Sequence, residues 1–397
     1  MVFENVKKAS KDAIFGLNET YRADTRKNKV YLAVGIYMDE HLNKPLMQVV
    51  KKAQDQVINQ ETIANYLPVP GNPAFIEEYG KLLFGQFYED YKERLSGFQT
   101  VGGTSALRMG ADFLFQEVSK TVYFPDPTWP NHYSIFERAG FKIEHYPYYS
   151  FEANALETTA LVEKLKSIPS KSIILFHTCC HNPTGSDLTE DEWRGLLPII
   201  KEKEHLPFFD FAYMGFNKGV KQDRFPLELF IEAGVNFLVA ASCSKSFSLY
   251  CQRLGALYVF SSNKKEKEHI DSQIKKIIRA SYSNPPAHAS YIVAQILNDP
   301  KLKEQWIAEL DSMRHRIETM RKKFADGLVK KAKHKDFSPI YKHKGMFSYC
   351  ALSLEEVDQL IKEYGVYTLM QGRVNICGLN DKNIDYVIDS MIKVADK

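Results

Sequence analysis

Apolar residues recur along this chain in two rhythms, and the change from one to the other marks how it is organised. Between residues 98 and 260, short apolar runs (98–101, 121–124, 142–146, 172–177, 206–210, 237–241 and 256–260) alternate with amphipathic stretches. Runs of this length, bounded by turn formers, predict strands, and the stretches between them predict helices. The plainest helix begins at Thr189-Glu190-Asp191-Glu192. There Thr189 and Glu192 have the spacing of a capping box ahead of an apolar stripe from Trp193 to Ile200. Regular alternation of this kind predicts an α/β domain whose sheet is largely parallel and covered on both faces.

After Pro300 the rhythm changes. Trp306, Leu310, Met313, Ile317, Met320 and Phe324 stand three or four apart in a charged background, which predicts one long helix over 302–332 leaving the sheet domain. Beyond it, 345–350, 365–369 and 373–376 read as short strands, and a last helix starts near Lys382. Together with the segment through about Pro45, this tail predicts a smaller α+β unit. The expected division is a large domain over 46–301 and a small one made of 1–45 and 302–397.

At 397 residues the chain is long enough for such a two-part architecture. Its 44% hydrophobic and 25% charged residues are ordinary for a globular protein. A formal net charge of +3, from 52 basic and 49 acidic residues, sets up no field that would draw nucleic acid or an anionic membrane. No apolar run is long enough to span a bilayer. The six cysteines (Cys179, Cys180, Cys243, Cys251, Cys350 and Cys377) lack zinc-type or thioredoxin-type spacing, so no metal is expected. Met1 to Phe15 has no apolar core and carries Glu4 and Asp12, which argues against a secretory or mitochondrial leader. A cytoplasmic enzyme with reduced thiols is the expectation.

Ligands of open α/β sheets bind beyond the carboxyl ends of the strands, so the residues just past each predicted strand bear on function. One lysine, Lys245, directly follows the apolar run 237–241, within Ser242-Cys243-Ser244-Lys245-Ser246. An ammonium desolvates poorly near a buried strand and tends to lose its proton, and a free amine is the species that forms a Schiff base with an aldehyde. By itself, a lysine among serines is ordinarily a solvated loop residue. The other strand ends change that. They deliver Gly102-Gly103-Thr104-Ser105 opening a helix, Trp129 with His132 three residues on, and Asn182 in His181-Asn182-Pro183-Thr184-Gly185. They also deliver Asp210 with Tyr213, and Arg253 past Lys245. Each has a bland alternative as turn or core chemistry, but five apt strand ends together match the needs of pyridoxal 5′-phosphate (PLP). Lys245 would bind the aldehyde carbon and Asp210 would pair with the pyridine nitrogen, backed by His132. Tyr213 and Asn182 would donate to the phenolate oxygen, and Trp129 would stack on the ring. Gly103, Thr104, Ser242 and Arg253 would hold the phosphate.

These motifs, in this order, resemble the class I, fold-type I PLP-dependent aminotransferases, and most closely the aspartate and aromatic aminotransferases. The resemblance runs from Val30-Tyr31-Leu32-Ala33-Val34-Gly35 through Asn65-Tyr66-Leu67-Pro68 and Tyr282-Ser283-Asn284-Pro285-Pro286 to Gly372-Arg373-Val374-Asn375. It implies a large domain with a mostly parallel seven-stranded sheet, a smaller α+β domain, and ping-pong transfer between an amino acid and a 2-oxo acid. L-Aspartate and 2-oxoglutarate are the expected pair, with a broader aromatic preference as the alternative. It further implies that Arg373 clamps the substrate α-carboxylate. Arg279 and Tyr66 would reach into the neighbouring subunit's site, toward the distal carboxylate and the phosphate, which implies a homodimer with shared sites. Gly35 and Phe347 would line the substrate side. Ser105 stands where a glycine is common in this family, which should leave phosphate binding intact because serine caps helices. Cys251 and Gln252 also depart from the usual pattern, with small effects expected, and Cys179 and Cys180 receive no role. A non-catalytic protein of this fold is opposed by the intact Lys245, Asp210, Arg253 and Arg373 set. A nicotinamide-dependent dehydrogenase is opposed by the lack of Gly-x-Gly-x-x-Gly after a strand.

Overall fold

The computed structural model describes residues 2–8, 13–60 and 65–396. Seven strands form its main sheet: β1 (Leu95–Val101), β2 (Thr121–Asp126), β3 (Lys142–Pro147), β4 (Ile173–His177), β5 (Leu206–Phe211), β6 (Phe237–Ser242) and β7 (Leu254–Phe260). Each falls on one of the seven apolar runs, with small shifts at the ends. Their order is β1-β7-β6-β5-β4-β2-β3. Neighbours pair in parallel except β7, which runs antiparallel to both β1 and β6.

The central strands are apolar throughout because both faces of the sheet are covered. Alternate residues feed two separate cores. On β6, Phe237, Val239 and Ala241 pack into one core, and Leu238 and Ala240 into the other. The predicted capping box is present. Thr189 Oγ1 accepts from the Glu192 amide, and the Glu192 carboxylate accepts from Thr189 N–H, opening the helix Glu190–Glu202.

Helix α1 (Gly102–Glu117) follows β1 directly, and the long helix α2 (Pro300–Lys331) occupies the place of the one expected over 302–332. Asp299 caps α2 and Pro300 opens it. Its buried stripe carries the expected Trp306, Leu310, Met313, Ile317, Met320 and Phe324. Past it, Phe347–Tyr349 pairs antiparallel with Arg373–Asn375, and Val30–Tyr31 pairs parallel with Val366–Tyr367. The expected strand over 365–369 is shorter for a physical reason. Gly365, at φ +65, takes the left-handed conformation that closes the helix Leu354–Tyr364, so regular pairing is confined to Val366 and Tyr367. Likewise the expected strand over 345–350 narrows to Phe347–Tyr349. Among the described residues no helix is long and apolar enough to cross a membrane.

Trp306 fastens α2 to the segment that carries Lys245. Its indole lies flat on Phe247, with centroids 4.5 Å apart and 6° between planes, and its Nε1 donates to the Ser246 carbonyl at 2.7 Å. Trp306→Ala should destabilise the fold by about 3–5 kcal/mol, and Trp306→Phe by about 1–3 kcal/mol through the lost hydrogen bond and the smaller ring, as read by equilibrium denaturation.

Candidate active site

The carboxyl ends of β1, β2, β4, β5 and β6 open onto one cavity of ≈390 Å³. Every residue predicted for the site lines it except His132, Tyr66 and Arg279. Gly35 and Phe347 bring the N-terminal segment and the C-terminal strands into the same wall. The two approach so closely that a Cβ on Gly35 would fall 2.7 Å from Phe347 Cζ. A larger cavity of ≈850 Å³, bordered by Thr178 and the stretch 186–190, contains none of the predicted residues.

Lys245 sits on a single helical turn, Cys243–Ser246, which the buried β6 feeds directly and Ser242 caps through its Oγ at 3.2 Å from Ser244 N. Its Nζ lies 4.6 Å from the Tyr213 ring centroid. Burial lowers its pKa from 10.5 to about 8, Arg253 adds to the lowering, and the Asp210 charge opposes it. Half of the amine is therefore free near pH 8.

Asp210 is the last residue but one of β5, with 7% of its surface exposed. Burial pushes its carboxyl up, but the hydrogen bond from His132, together with the surrounding electrostatics, outweighs that and holds it below the usual range. Behind it runs a chain of side chains. His132 Nε2 is 3.1 Å from Asp210 Oδ2, and Thr128 Oγ1 lies 2.8 Å from His132 Nδ1 and 3.0 Å from His177 Nε2. Burial takes His177 down to about 3, so it remains a neutral ring. An anion at Asp210 is the partner that a protonated ring nitrogen requires.

At the opposite end, Gly102 at φ +78 turns the chain from β1 into α1. No side chain caps this helix, so its first amides are left for a ligand. The fit is close: a Cβ on Gly102 would lie 2.3 Å from Arg253 Nη2, and one on Gly103 would lie 3.0 Å from Ser242 Cβ. Arg253 itself adopts the left-handed φ of +52, and its Nη1 donates to Ser244 Oγ and the Tyr250 carbonyl, both at 3.1 Å. This strained backbone aims a guanidinium at the helix start.

Arg373, which is 2% exposed, lines the same cavity. Its Nη1 donates to Asn182 Oδ1 at 2.8 Å and its Nη2 to the Ala33 carbonyl at 2.5 Å, while its planar face lies 4.1 Å from the Phe347 ring centroid. Burial lowers its pKa to about 10, so it stays charged. Its Nε is buried with no hydrogen-bond partner among the described residues. An unfilled donor on a buried cation calls for an anionic ligand. With Oδ1 committed to Arg373, Asn182 has its amide N–H₂ to offer.

These residues fit PLP. A depressed amine, a carboxylate held as an anion, an uncapped helix start beside an arginine and a glycine-cleared wall answer its aldehyde carbon, ring nitrogen and phosphate. Within one chain, Tyr66 and Arg279 stand elsewhere. They border a separate hollow of ≈720 Å³ with Asn284, and Tyr66 is 86% exposed. Sequence reasoning missed Ser244, Tyr250, Leu107 and Ala212, which also line the main cavity. Ser244 and Tyr250 lie in the same short stretch as Lys245 and Arg253, a signal open to a local reading. Nothing local marks the other two.

A family model described as aminotransferase class I and II matches residues 27–391. An aspartate aminotransferase of Pseudomonas aeruginosa is 40% identical over 99% of both chains, and an aromatic-amino-acid aminotransferase of Escherichia coli is 38% identical over 99% of this chain and 100% of its own. The crystal structure of an aromatic-amino-acid aminotransferase from Burkholderia pseudomallei, covalently bound to pyridoxal phosphate, superposes with a TM-score of 0.96 at 38% identity, covering 99% of both chains.

In the protein freed of any cofactor, Lys245 should acylate with a half-point near pH 8, about two pH units below an ordinary lysine. Competitive labelling with acetic anhydride across a pH series, read by peptide mass spectrometry, measures it. A half-point near 10 would refute the desolvated amine.

Proposed function

The chain belongs to the class I and II aminotransferases, and from that premise we propose that it moves the amino group of L-aspartate to 2-oxoglutarate, giving oxaloacetate and L-glutamate. The reaction class is transamination and the cofactor is PLP. The observation that carries this reading furthest is the lowered amine of Lys245 sharing one cavity with anionic Asp210 and the unfilled donor of Arg373.

When bound, PLP supplies an aldehyde that condenses with amines and a ring that accepts electrons from the substrate α-carbon. Lys245 would anchor it covalently. Asp210, kept anionic through His132, would hold the proton on the ring nitrogen. Tyr213 and Asn182 would donate to the ring oxygen, Trp129 would cover a ring face, and Gly103, Thr104, Ser242 and Arg253 would take the phosphate. Arg373 would grip the α-carboxylate through parallel N–H donors and so present the α-carbon to Lys245 Nζ. When not engaged with the cofactor, that nitrogen takes the α-proton and returns it, serving as base and then acid. The two half-reactions use one pocket in turn, which gives ping-pong kinetics.

The dicarboxylate preference rests on Arg279, and with Tyr66 it needs a second copy of the chain. Their place in a separate hollow supports a homodimer in which each subunit lends both residues to its neighbour. A broader preference that includes tyrosine and phenylalanine has its own support in the aromatic wall of Trp129, Tyr250 and Phe347.

Lys245→Ala should abolish covalent retention of PLP after borohydride reduction, read by intact mass, and remove nearly all turnover. Full activity in that variant would sink the assignment. Arg373→Lys should lower kcat/KM on the order of a hundredfold for aspartate, because a fork is exchanged for a point charge. Steady-state kcat/KM for aspartate, tyrosine and phenylalanine with 2-oxoglutarate settles the substrate, and a value for aspartate below both aromatics would overturn the dicarboxylate reading.

A further inference from the structure

Asn182 and Tyr213, the two donors assigned to one cofactor oxygen, stand on different loops, after β4 and after β5. Two donors can share one acceptor only if the loops keep a fixed separation. Strand pairing sets that separation as far as His177 opposite Asp210, and Thr178 adds bonds from its N–H and hydroxyl to the Asp210 carbonyl. Beyond the strands, a small polar network behind the cavity takes over.

Its centre is Asp187, five residues past Asn182. Its Oδ2 accepts from Cys180 N–H at 2.7 Å and its Oδ1 from His181 N–H at 2.8 Å, so the carboxylate closes the loop that presents Asn182. It also accepts from Asn217 Nδ2 at 2.9 Å. Asn217 belongs to the other loop, four residues past Tyr213. That loop is wound around buried Asp223, which accepts from the amides of Gly215, Asn217 and Lys218 at 2.8, 3.0 and 2.8 Å. Asn217 leaves its own Oδ1 buried without a partner among the described residues. Its orientation is therefore dictated by the bond to Asp187, since the flipped amide would set oxygen against carboxylate. The paired thiols of Cys179 and Cys180 face the same way, with Sγ atoms 3.6 and 3.9 Å from the Tyr213 carbonyl.

We propose that Asp187 is a positioning residue for transamination: through Asn217 it ties the Asn182 loop to the Tyr213 loop and so fixes the two donors at one spacing. The bonds are charge-assisted in the working range, since burial raises the Asp187 carboxyl only to about 6. The same loop reaches the substrate end, because Asn182 Oδ1 accepts from Arg373. Asp187 lines the ≈850 Å³ cavity and not the one that holds Lys245, so it touches neither substrate nor cofactor.

The proposal rests on the reading of Asn182 as a donor to the cofactor, and the test separates the two. In Asp187→Asn one acceptor replaces two, so either Cys180 or His181 loses its partner. Hydrogen exchange of the cofactor-free protein should show those two amides opening about tenfold faster or more while the β4 and β5 amides stay protected. In the holoenzyme, the pH midpoint of the bound cofactor's visible absorbance should rise by about 0.5 or more, because donors that favour the anionic oxygen are displaced. Asn182→Ala, run beside it, should move the midpoint the same way. If it does not, the reading of Asn182 fails, whatever the exchange shows. Wild-type exchange in Asp187→Asn, or faster exchange with an unmoved midpoint while Asn182→Ala moves it, overturns the proposal. Should Asp187→Asn not accumulate, Asn217→Ala keeps both loop amides bonded and cuts only the bridge. An unmoved midpoint there overturns the proposal equally.

Discussion

An amine that must be kept out of water and yet remain reactive governs this structure. Moving Lys245 from its ordinary 10.5 to about 8 disfavours the charged form by roughly 3 kcal/mol. That effect exists only because β6 is covered on both faces and delivers its last residues into a closed pocket. The flanking charges tune it in opposite directions. Arg253 discourages protonation, and the Asp210 charge encourages it. The three groups come from two neighbouring strand ends and the turn after β6, so the sheet sets their spacing.

Most of the structure around the pocket serves to hold these groups still. Trp306 binds the long helix to the carbonyl next to Lys245. Thr128 joins two histidines behind Asp210, one of which burial keeps neutral, so the chain ends in an uncharged ring. Arg373 is fixed by one bond to the N-terminal segment and one to Asn182. Arg373 and Asn182 are thereby parts of one corner, joined directly by a hydrogen bond.

Much of this was legible along the chain. The seven strands could be read because buried strands show as continuous apolar runs, and the gathering at one cavity could be read because the residues named at the strand ends lie within a few positions of them. The capping box at Thr189 and the stripe of α2 were equally local. Gly365 marks the limit of such reading: a glycine before Val366 and Tyr367 suits a strand start or a helix end, and only the preceding helix decides which. Asp187 and Asn217 were invisible for a related reason. A carboxylate that curls back on amides six and seven residues earlier leaves no periodic trace. Tyr66 and Arg279 were named through resemblance alone, and within one chain they stay apart from Lys245.

Residue order by itself settled which side chains stand at the strand ends, and with them the α/β class, the cofactor and the reaction type, because strand and turn preferences act over a few residues. Tertiary structure alone decided the chemical state of those side chains. The lowered amine of Lys245, the anionic state of Asp210 and the unfilled donor of Arg373 depend on desolvation and on partners far away in sequence. Arg373 meets Ala33 and Asn182, 340 and 191 positions distant. Burial at such a site is the joint product of every segment packed around it, and no local pattern can encode it.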